Sequence, residues 1–422
     1  MSTPVVSIWG APPGARPAAP QADPWNTTWP LRGGTAWVFH SSPGQTHVKR
    51  PVILADGFSI GPSEPHALYA GLENGQYPFI SKLRENGFDV VLLGFDERSA
   101  SILDNADVAV ECIRRAIADR EGPAPLTVGG FSMGGLVTRY ALAKMESQME
   151  DHETSTYLSY DTPHRGAWLP IAVQAFAHFV KEHWGSTPGI GPLLSRFSIM
   201  VNSDAARQLL RWHVETADAA ADVPLDVSAG QDQARTDFLE ALEQVGGWPM
   251  RPRLLGVANG TATGAGNDIP AGAPAVVSSG PQLGGTRLDT QDKGQQTVAE
   301  LAKTGADPVP VRTRDLPDID GAPGGLFPEA PLLDGAANFG MAAMLAGLVD
   351  QTPAELTYNA STFVPTVSAV ASADIDDRNN LYSKVDRDSS DLHDFACATA
   401  NEGHTVMTEE LGQWILDRLQ EA

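Results

Sequence analysis

Four short apolar runs limit most strongly the folds open to this chain: PVILADGF from Pro51, FDVVLLGF from Phe88, LTVGGF from Leu126 and TSTYLSYD from Thr154. They are short and rich in apolar and β-branched residues, the pattern of buried strands. Between the second and third, Ile102, Ala106, Ala109, Ile113 and Ala116 recur at helical spacing opposite charged residues, which predicts a helix over 102–117. Strand and helix therefore alternate. Parallel strands need a crossover, usually a helix, so the first 165 residues are expected to form a mostly parallel, doubly wound α/β sheet.

Residues 1–48 are rich in Pro, Ala and Gly and carry isolated tryptophans (Trp9, Trp25, Trp29), the composition of an extended N-terminal arm. The first half of the core is expected over 49–168. Segment 169–250 has large apolar faces at helical spacing (Ile171, Val173, Phe176, Phe179, Val180; Leu209, Leu210, Trp212) and reads as a helical cap. One more core strand, RLLGVANG, gives 251–260. Segment 261–355, dominated by Gly, Ala, Pro and Asp, reads as a long insertion or lid passing over a site. The second half of the core then spans 356–422, with TFVPTVSAV and DFACA as strands and a last helix at 406–420 that aligns Leu411, Trp414, Ile415 and Leu419.

The bulk properties exclude several function classes. The formal net charge is −23, from 52 acidic and 29 basic side chains, a field that repels phosphate backbones; no nucleic-acid partner is expected. No apolar stretch is long enough to span a bilayer, so stable membrane insertion is not expected either. The N-terminus lacks the basic cluster and apolar stretch of a secretory signal, which points to a cytoplasmic protein. Cys112 and Cys397 show neither disulfide nor zinc spacing and read as buried thiols. The acidic run Asp374-Ile375-Asp376-Asp377-Arg378-Asn379 lacks the central glycine and closing glutamate of a calcium loop, so it reads as a solvated loop. No metal or cofactor is expected.

The chemistry centres on Gly130-Phe131-Ser132-Met133-Gly134. A GxSxG pentapeptide is weak by itself, but this one follows a strand and opens a helix running from Leu136 to about Met145. That setting puts a serine oxygen at the carboxyl edge of a sheet, with glycines on both sides where side chains would collide. The helix N-terminus favours developing negative charge, and the Met133 N–H is the obvious oxyanion donor. A second donor is expected from the loop closing PVILADGF, at Phe58 after Gly57.

A serine nucleophile needs a base. His404 lies in the polar turn Ala400-Asn401-Glu402-Gly403-His404 between the last strand and the last helix, and is the best placed of ten histidines. His164, in Asp161-Thr162-Pro163-His164-Arg165-Gly166, competes but suits a structural role. The orienting acid is open: an acid is expected after the strand that ends in Gly260 or just before the returning segment, yet Asn259-Gly260-Thr261 carries no carboxylate, nor does Asn359-Ala360-Ser361-Thr362. Asp161 is preferred because a strand tip is a rigid support next to neighbouring strand ends; Asp394, Asp374, Asp376 and Asp268 remain candidates.

PVILADGF, VGGFSMGGLVTRYAL and YLSYDTPHRGA together resemble the bacterial serine esterase/lipase branch of the α/β-hydrolase superfamily, over about residues 50–170. Where that branch usually has His-Gly in its oxyanion loop, Asp56-Gly57 stands here, as in a less characterised group of esterase-like bacterial proteins that the chain is also similar to in DGAPGG and TFVPTVSA. The resemblance implies the α/β-hydrolase fold, a triad of Ser132, His404 and an aspartate, and oxyanion donors at Met133 and Phe58.

The expected reaction is attack by Ser132 on a carboxylic ester or thioester of a small-molecule substrate, through an acyl-enzyme. A deep cap makes thioesterase, acyltransferase or cyclase activity on bulky acyl groups an alternative. A non-catalytic binding protein on the same scaffold is a second alternative. Oligomeric state is not addressed by the sequence.

Overall fold

The computed structural model describes residues 23–215, 224–227, 230–327 and 338–421. Residues 1–22 of the expected arm, Trp9 among them, lie outside the described residues, as do 216–223 and 228–229 of the expected cap and 328–337 of the expected insertion.

Eight strands make the main sheet: β1 (Thr27–Leu31), β2 (Gly34–Phe39), β3 (Pro51–Ala55), β4 (Asp89–Phe95), β5 (Leu126–Phe131), β6 (Thr154–Tyr160), β7 (Arg253–Thr261) and β8 (Asp394–Ala398). Their spatial order is β1-β2-β4-β3-β5-β6-β7-β8. β2 runs antiparallel to β1 and β4, and all remaining neighbours are parallel. The sheet is thus mixed α/β and mostly parallel.

Alternation along the strands sorts side chains onto two faces. Ile53, Ala55, Val91, Leu93 and Val128 pack under α3 (Ile102–Asp119) and α4 (Met133–Ser147), giving one core cluster with Ile102, Cys112, Leu136 and Leu142. Val52, Leu54, Val90, Leu92, Leu158 and Leu255 face the other way, against α1 (Pro65–Glu73), α2 (Phe79–Glu85) and the C-terminal helix Glu409–Gln420 through Leu68, Phe79, Leu83 and Leu411. Because both faces are covered, the strands carry no polar alternation.

Two sequence expectations need correction here. Part of the expected arm is sheet: Thr27–Leu31 and Gly34–Phe39 form a hairpin on the sheet margin, closed by Arg32-Gly33 with Gly33 at φ 97°. Pro30 is tolerated there because an edge strand has one side without a ladder partner. TFVPTVSAV does not return to the main sheet: among the described residues the strand Thr362–Pro365 pairs with Gly324–Leu326 alone, and the chain turns helical at Thr366–Ala369. The core resumes at β8, the DFACA run.

Residues 169–250 supply helices Ile171–Trp184, Gly191–Val201, Asp204–Leu209 and Gln233–Gln244. The stretch 261–355 is more regular than its composition suggests. Pro274–Val277, Arg287–Asp289, Gly294–Leu301 and Val309–Leu316, joined by Leu225–Val227 and Glu355–Leu356, build a second, six-stranded sheet. Ala275, Val276, Leu288, Val298 and Val311 on it belong to the same buried cluster as the α3/α4 face, together with Phe176 and Phe179 of the first cap helix. The insertion is a layer continuous with the core.

From β3 the chain winds through α1 and α2 to β4 on one side, then returns through α3 to β5 on the other. The direction reverses across β3. In parallel sheets the crevice beyond the strand carboxyl ends at such a reversal is where ligands bind, and the loops that meet there follow β3 and β5.

Candidate active site

Ser132 is the single residue between β5 and α4, with φ 53° and ψ −123°. Positive φ in a non-glycine residue costs on the order of 1–3 kcal/mol and persists only when neighbours hold it. The Ser132 N–H donates to Tyr160 O at 2.9 Å, fixing the turn against the tip of β6. The flanking glycines have steric grounds: a Cβ on Gly130 would fall 2.4 Å from Gly134 C, and one on Gly134 2.4 Å from Ala55 O and 2.5 Å from Asp56 O. The second clash also shows that the loop after β3 lies directly on the start of α4.

That loop carries Phe58, which is buried. Asp56 shapes it: Oδ1 accepts from Gly57 N at 2.7 Å, Oδ2 accepts from Ser63 Oγ at 2.7 Å, and Arg98 Nη1 stands 3.4 Å from Oδ2, all with buried side chains. Met133 opens α4, so its N–H is among those a helix leaves without an internal partner.

His404 and Asp161, 243 positions apart, meet: His404 Nδ1 lies 2.6 Å from Asp161 Oδ2. Asp161 is the residue after β6, held at φ 47°, and its other oxygen accepts from Asn259 N at 3.0 Å. Asn259-Gly260-Thr261, where a carboxylate was expected, lies within β7 and supplies a backbone amide to the carboxylate that follows the adjacent strand. The His404 turn is pinned by Leu326, whose carbonyl accepts from His404 N at 2.7 Å and whose N–H donates to Glu402 O at 2.9 Å. Phe363 sets its ring edge-to-face on the imidazole at 4.8 Å. Neither Leu326 nor Phe363 stands out as a site residue in the sequence. Their only signal is their place in or beside GlyGly and TFVP, whose role depends on pairing between segments far apart in the chain.

Ser132 Oγ and His404 Nε2 are both buried and neither has a hydrogen-bond partner. What sets these two apart from other buried atoms without partners is their setting, one on a strained strand-to-helix turn and the other on an imidazole held by a carboxylate, which calls for a functional account. Burial is a departure from expectation: a nucleophile at such a turn is expected to stand clear of the sheet, yet Ser132 is 1% exposed and His404 2%.

The competing residues are engaged elsewhere. Asp394 opens β8, where it pairs with Arg253, Arg387 and Arg418. Asp376 pairs with Arg211, Asp374 is largely exposed 4.0 Å from Arg165, and Asp268 is exposed. Asp377 caps the short helix Arg378–Leu381 through Asn379 N. His164 is buried between Arg139 Nη1 at 3.3 Å and Ser159 Oγ at 3.1 Å; burial and then the neighbouring guanidinium groups hold its pKa well below the usual imidazole range. Of the two thiols, Cys112 is buried and Cys397 half-buried, and burial pushes the latter up to about 12.

No protein-family model matches the chain, and no curated protein matches it. Among solved structures it is similar to a lipase of Bacillus licheniformis in its mature form, at 13% identity, 53% of this chain, 71% of that one and a TM-score of 0.30. An esterase/lipase from an uncultured bacterium gives 13% identity over 56% of this chain and 76% of that one, with a TM-score of 0.29. An α/β serine hydrolase of Xanthomonas campestris gives 18% identity over 35% and 65%, with a TM-score of 0.23. No helix among the described residues is long and apolar enough to cross a membrane.

Chemically, the site offers an alcohol at a helix N-terminus, an imidazole whose outward nitrogen is unpaired, and a carboxylate on the imidazole's inner nitrogen. Groups of these three kinds, where alcohol and imidazole meet, deprotonate the alcohol, hold the resulting imidazolium and stabilise an oxyanion.

Proposed function

We propose that the protein is a serine hydrolase of the α/β-hydrolase superfamily, of the esterase/lipase kind, with Ser132 as nucleophile, His404 as general base and Asp161 as the orienting acid. The observation that carries this reading is the 2.6 Å His404–Asp161 contact at the sheet edge where Ser132 Oγ and His404 Nε2 are buried without partners. Asp161 keeps the Nδ1–H tautomer, leaving Nε2 to take the Ser132 proton. Ser132 adds to the carbonyl of an ester or thioester, and the oxyanion is held by the N–H groups of Met133 and Phe58. His404 returns the proton to the departing alcohol or thiol, leaving an acyl-Ser132 that water or another nucleophile then releases.

A fluorophosphonate probe followed by intact-mass measurement tests the assignment. The wild-type chain gains one adduct, Ser132→Ala gains none, and p-nitrophenyl ester turnover falls by about 10⁴-fold or more in that variant. A folded wild-type protein that takes no probe and turns over no ester favours the binding-protein alternative. The burial of Ser132 and His404, with Phe363 against the imidazole and Phe327 against Phe363, supports a second reading, acyl transfer, thioester cleavage or cyclisation of a bulky acyl group in a water-poor site. Partitioning of the acyl group between water and added alcohols, thiols or amines, over esters of increasing chain length, separates these.

A further inference from the structure

Gly324–Leu326, from the long insertion, pairs antiparallel with Thr362–Pro365 in a two-stranded ribbon lying on the His404 turn. Its ends are pinned: Gly324 N donates to Asn401 Oδ1 at 3.1 Å, and Leu326 exchanges two backbone hydrogen bonds with the turn, to Glu402 O and from His404 N. Position 325 is therefore held from both sides. A Cβ there would stand 1.9 Å from Asp161 Oδ2, 2.9 Å from its Cγ and 3.2 Å from Oδ1, and those are the three nearest atoms it would meet. Oδ2 is the atom in contact with His404 Nδ1. Gly325 is not among the positive-φ glycines, so its backbone angles suit any residue, and the glycine is required by close approach alone. Phe363, on the partner strand of the same ribbon, meets the imidazole face of the pair.

We propose that this ribbon is the brace that sets the acid–base pair, with Gly325 as a positioning residue whose missing side chain lets Asp161 reach His404. The inference rests on the triad reading for its kinetic consequence and on geometry alone for its structural one. Gly325→Ala pushes the carboxylate off Nδ1, and because a displacement of about 1 Å costs on the order of 100-fold in rate, kcat for ester turnover falls by that factor while KM is little changed.

The structural arm is a double-mutant cycle on melting temperature. Asp161→Gly accepts φ 47° without strain and removes the group that the methyl added by Gly325→Ala would strike. Gly325→Ala is expected to lower the melting temperature by a few degrees in the wild-type background and to leave it unchanged in Asp161→Gly. Equal loss in both backgrounds overturns the proposal, as does no loss in either. A low-field proton resonance of His404 Nδ1–H, expected in the wild type and absent in Asp161→Gly, shifts or disappears in Gly325→Ala; an unmoved resonance is contrary. Gly347→Ala, in a helix where a Cβ finds only ordinary contacts, controls for glycine loss as such. If the wild type neither turns over esters nor takes the probe, the hydrolase reading fails, and the cycle and the resonance still decide the role of Gly325.

Discussion

At the level of single residues, the proposed triad assigns different duties to two carboxylates. Asp161 sits in the left-handed region, which asparagine also tolerates, so Asp161→Asn keeps the turn and the Asn259 N–H contact while removing the charge facing the imidazole. It is expected to fold with little change in melting temperature and to lose about 10³- to 10⁴-fold in kcat, because the imidazole is released from its tautomer. Asp394 pairs with three arginines at the start of β8, the opposite end of the sheet from Ser132. Asp394→Asn is expected to leave kcat within about twofold and to cost about 1–2 kcal/mol in stability. Parallel ester assays and melts of the two variants check this, and near-normal turnover by Asp161→Asn removes the aspartate from the triad.

Among the elements, the loop after β3 depends on a buried ion pair. Asp56 gathers Gly57 N, Ser63 Oγ and Arg98, and the loop it shapes leads to Phe58. Asp56→Ala leaves a buried guanidinium without its counter-charge, at a cost of about 3–5 kcal/mol. If the loop delivers an oxyanion donor, kcat falls by about 10²- to 10³-fold as well. Denaturant melts with ester kinetics on the same preparation read both, and unchanged kcat with lowered stability would leave the loop a purely structural role. This loop and the Ser132 turn were legible in the sequence because β3, β4 and β5 are buried on both faces and so stand out as short, mostly apolar runs, with Gly57 soon after β3 and Gly130 and Gly134 around the serine. His404 was legible as the histidine of the last strand-to-helix turn. Asp161 was one choice among several, since nothing in local spacing says that a strand-tip carboxylate faces a turn 243 positions away, or that Asn259 contributes its amide. The hairpin at 27–39 and the six-stranded sheet were not legible. Their strands are short or covered on one side, as in Val309–Leu316, where polar residues alternate with Val311 and Thr313, and Pro and Gly break their runs.

Across the whole molecule, the cap and the insertion each carry a buried group, and protonation of the two has opposite effects on stability. His178, on the first cap helix, lies between Ser198 Oγ at 2.7 Å and Val214 O at 2.8 Å, and burial holds its pKa at about 4 against an ordinary 6.5. Between those values the unfolded chain binds the proton and the folded one does not, so stability falls as pH drops from 6.5 to 4, by up to about 3 kcal/mol. Asp320 joins Trp168 Nε1 and Gln291 N, both at 2.7 Å, and burial raises it to about 6 from 3.8. Here the folded chain binds the extra proton, so its contribution is full below 3.8 and is lost as pH rises through 6. A net charge of −23 adds a background common to wild type and variants, which differences cancel. Urea melts of wild type and His178→Gln from about pH 4 to 7.5 should therefore show the wild type losing ground to the variant as pH falls below 6.5. The same series with Asp320→Asn should show it gaining ground as pH falls below 6. Parallel curves for His178→Gln would mean that the imidazole is as easily protonated in the folded chain as in water, against the burial that fixes it between two helices and Val214.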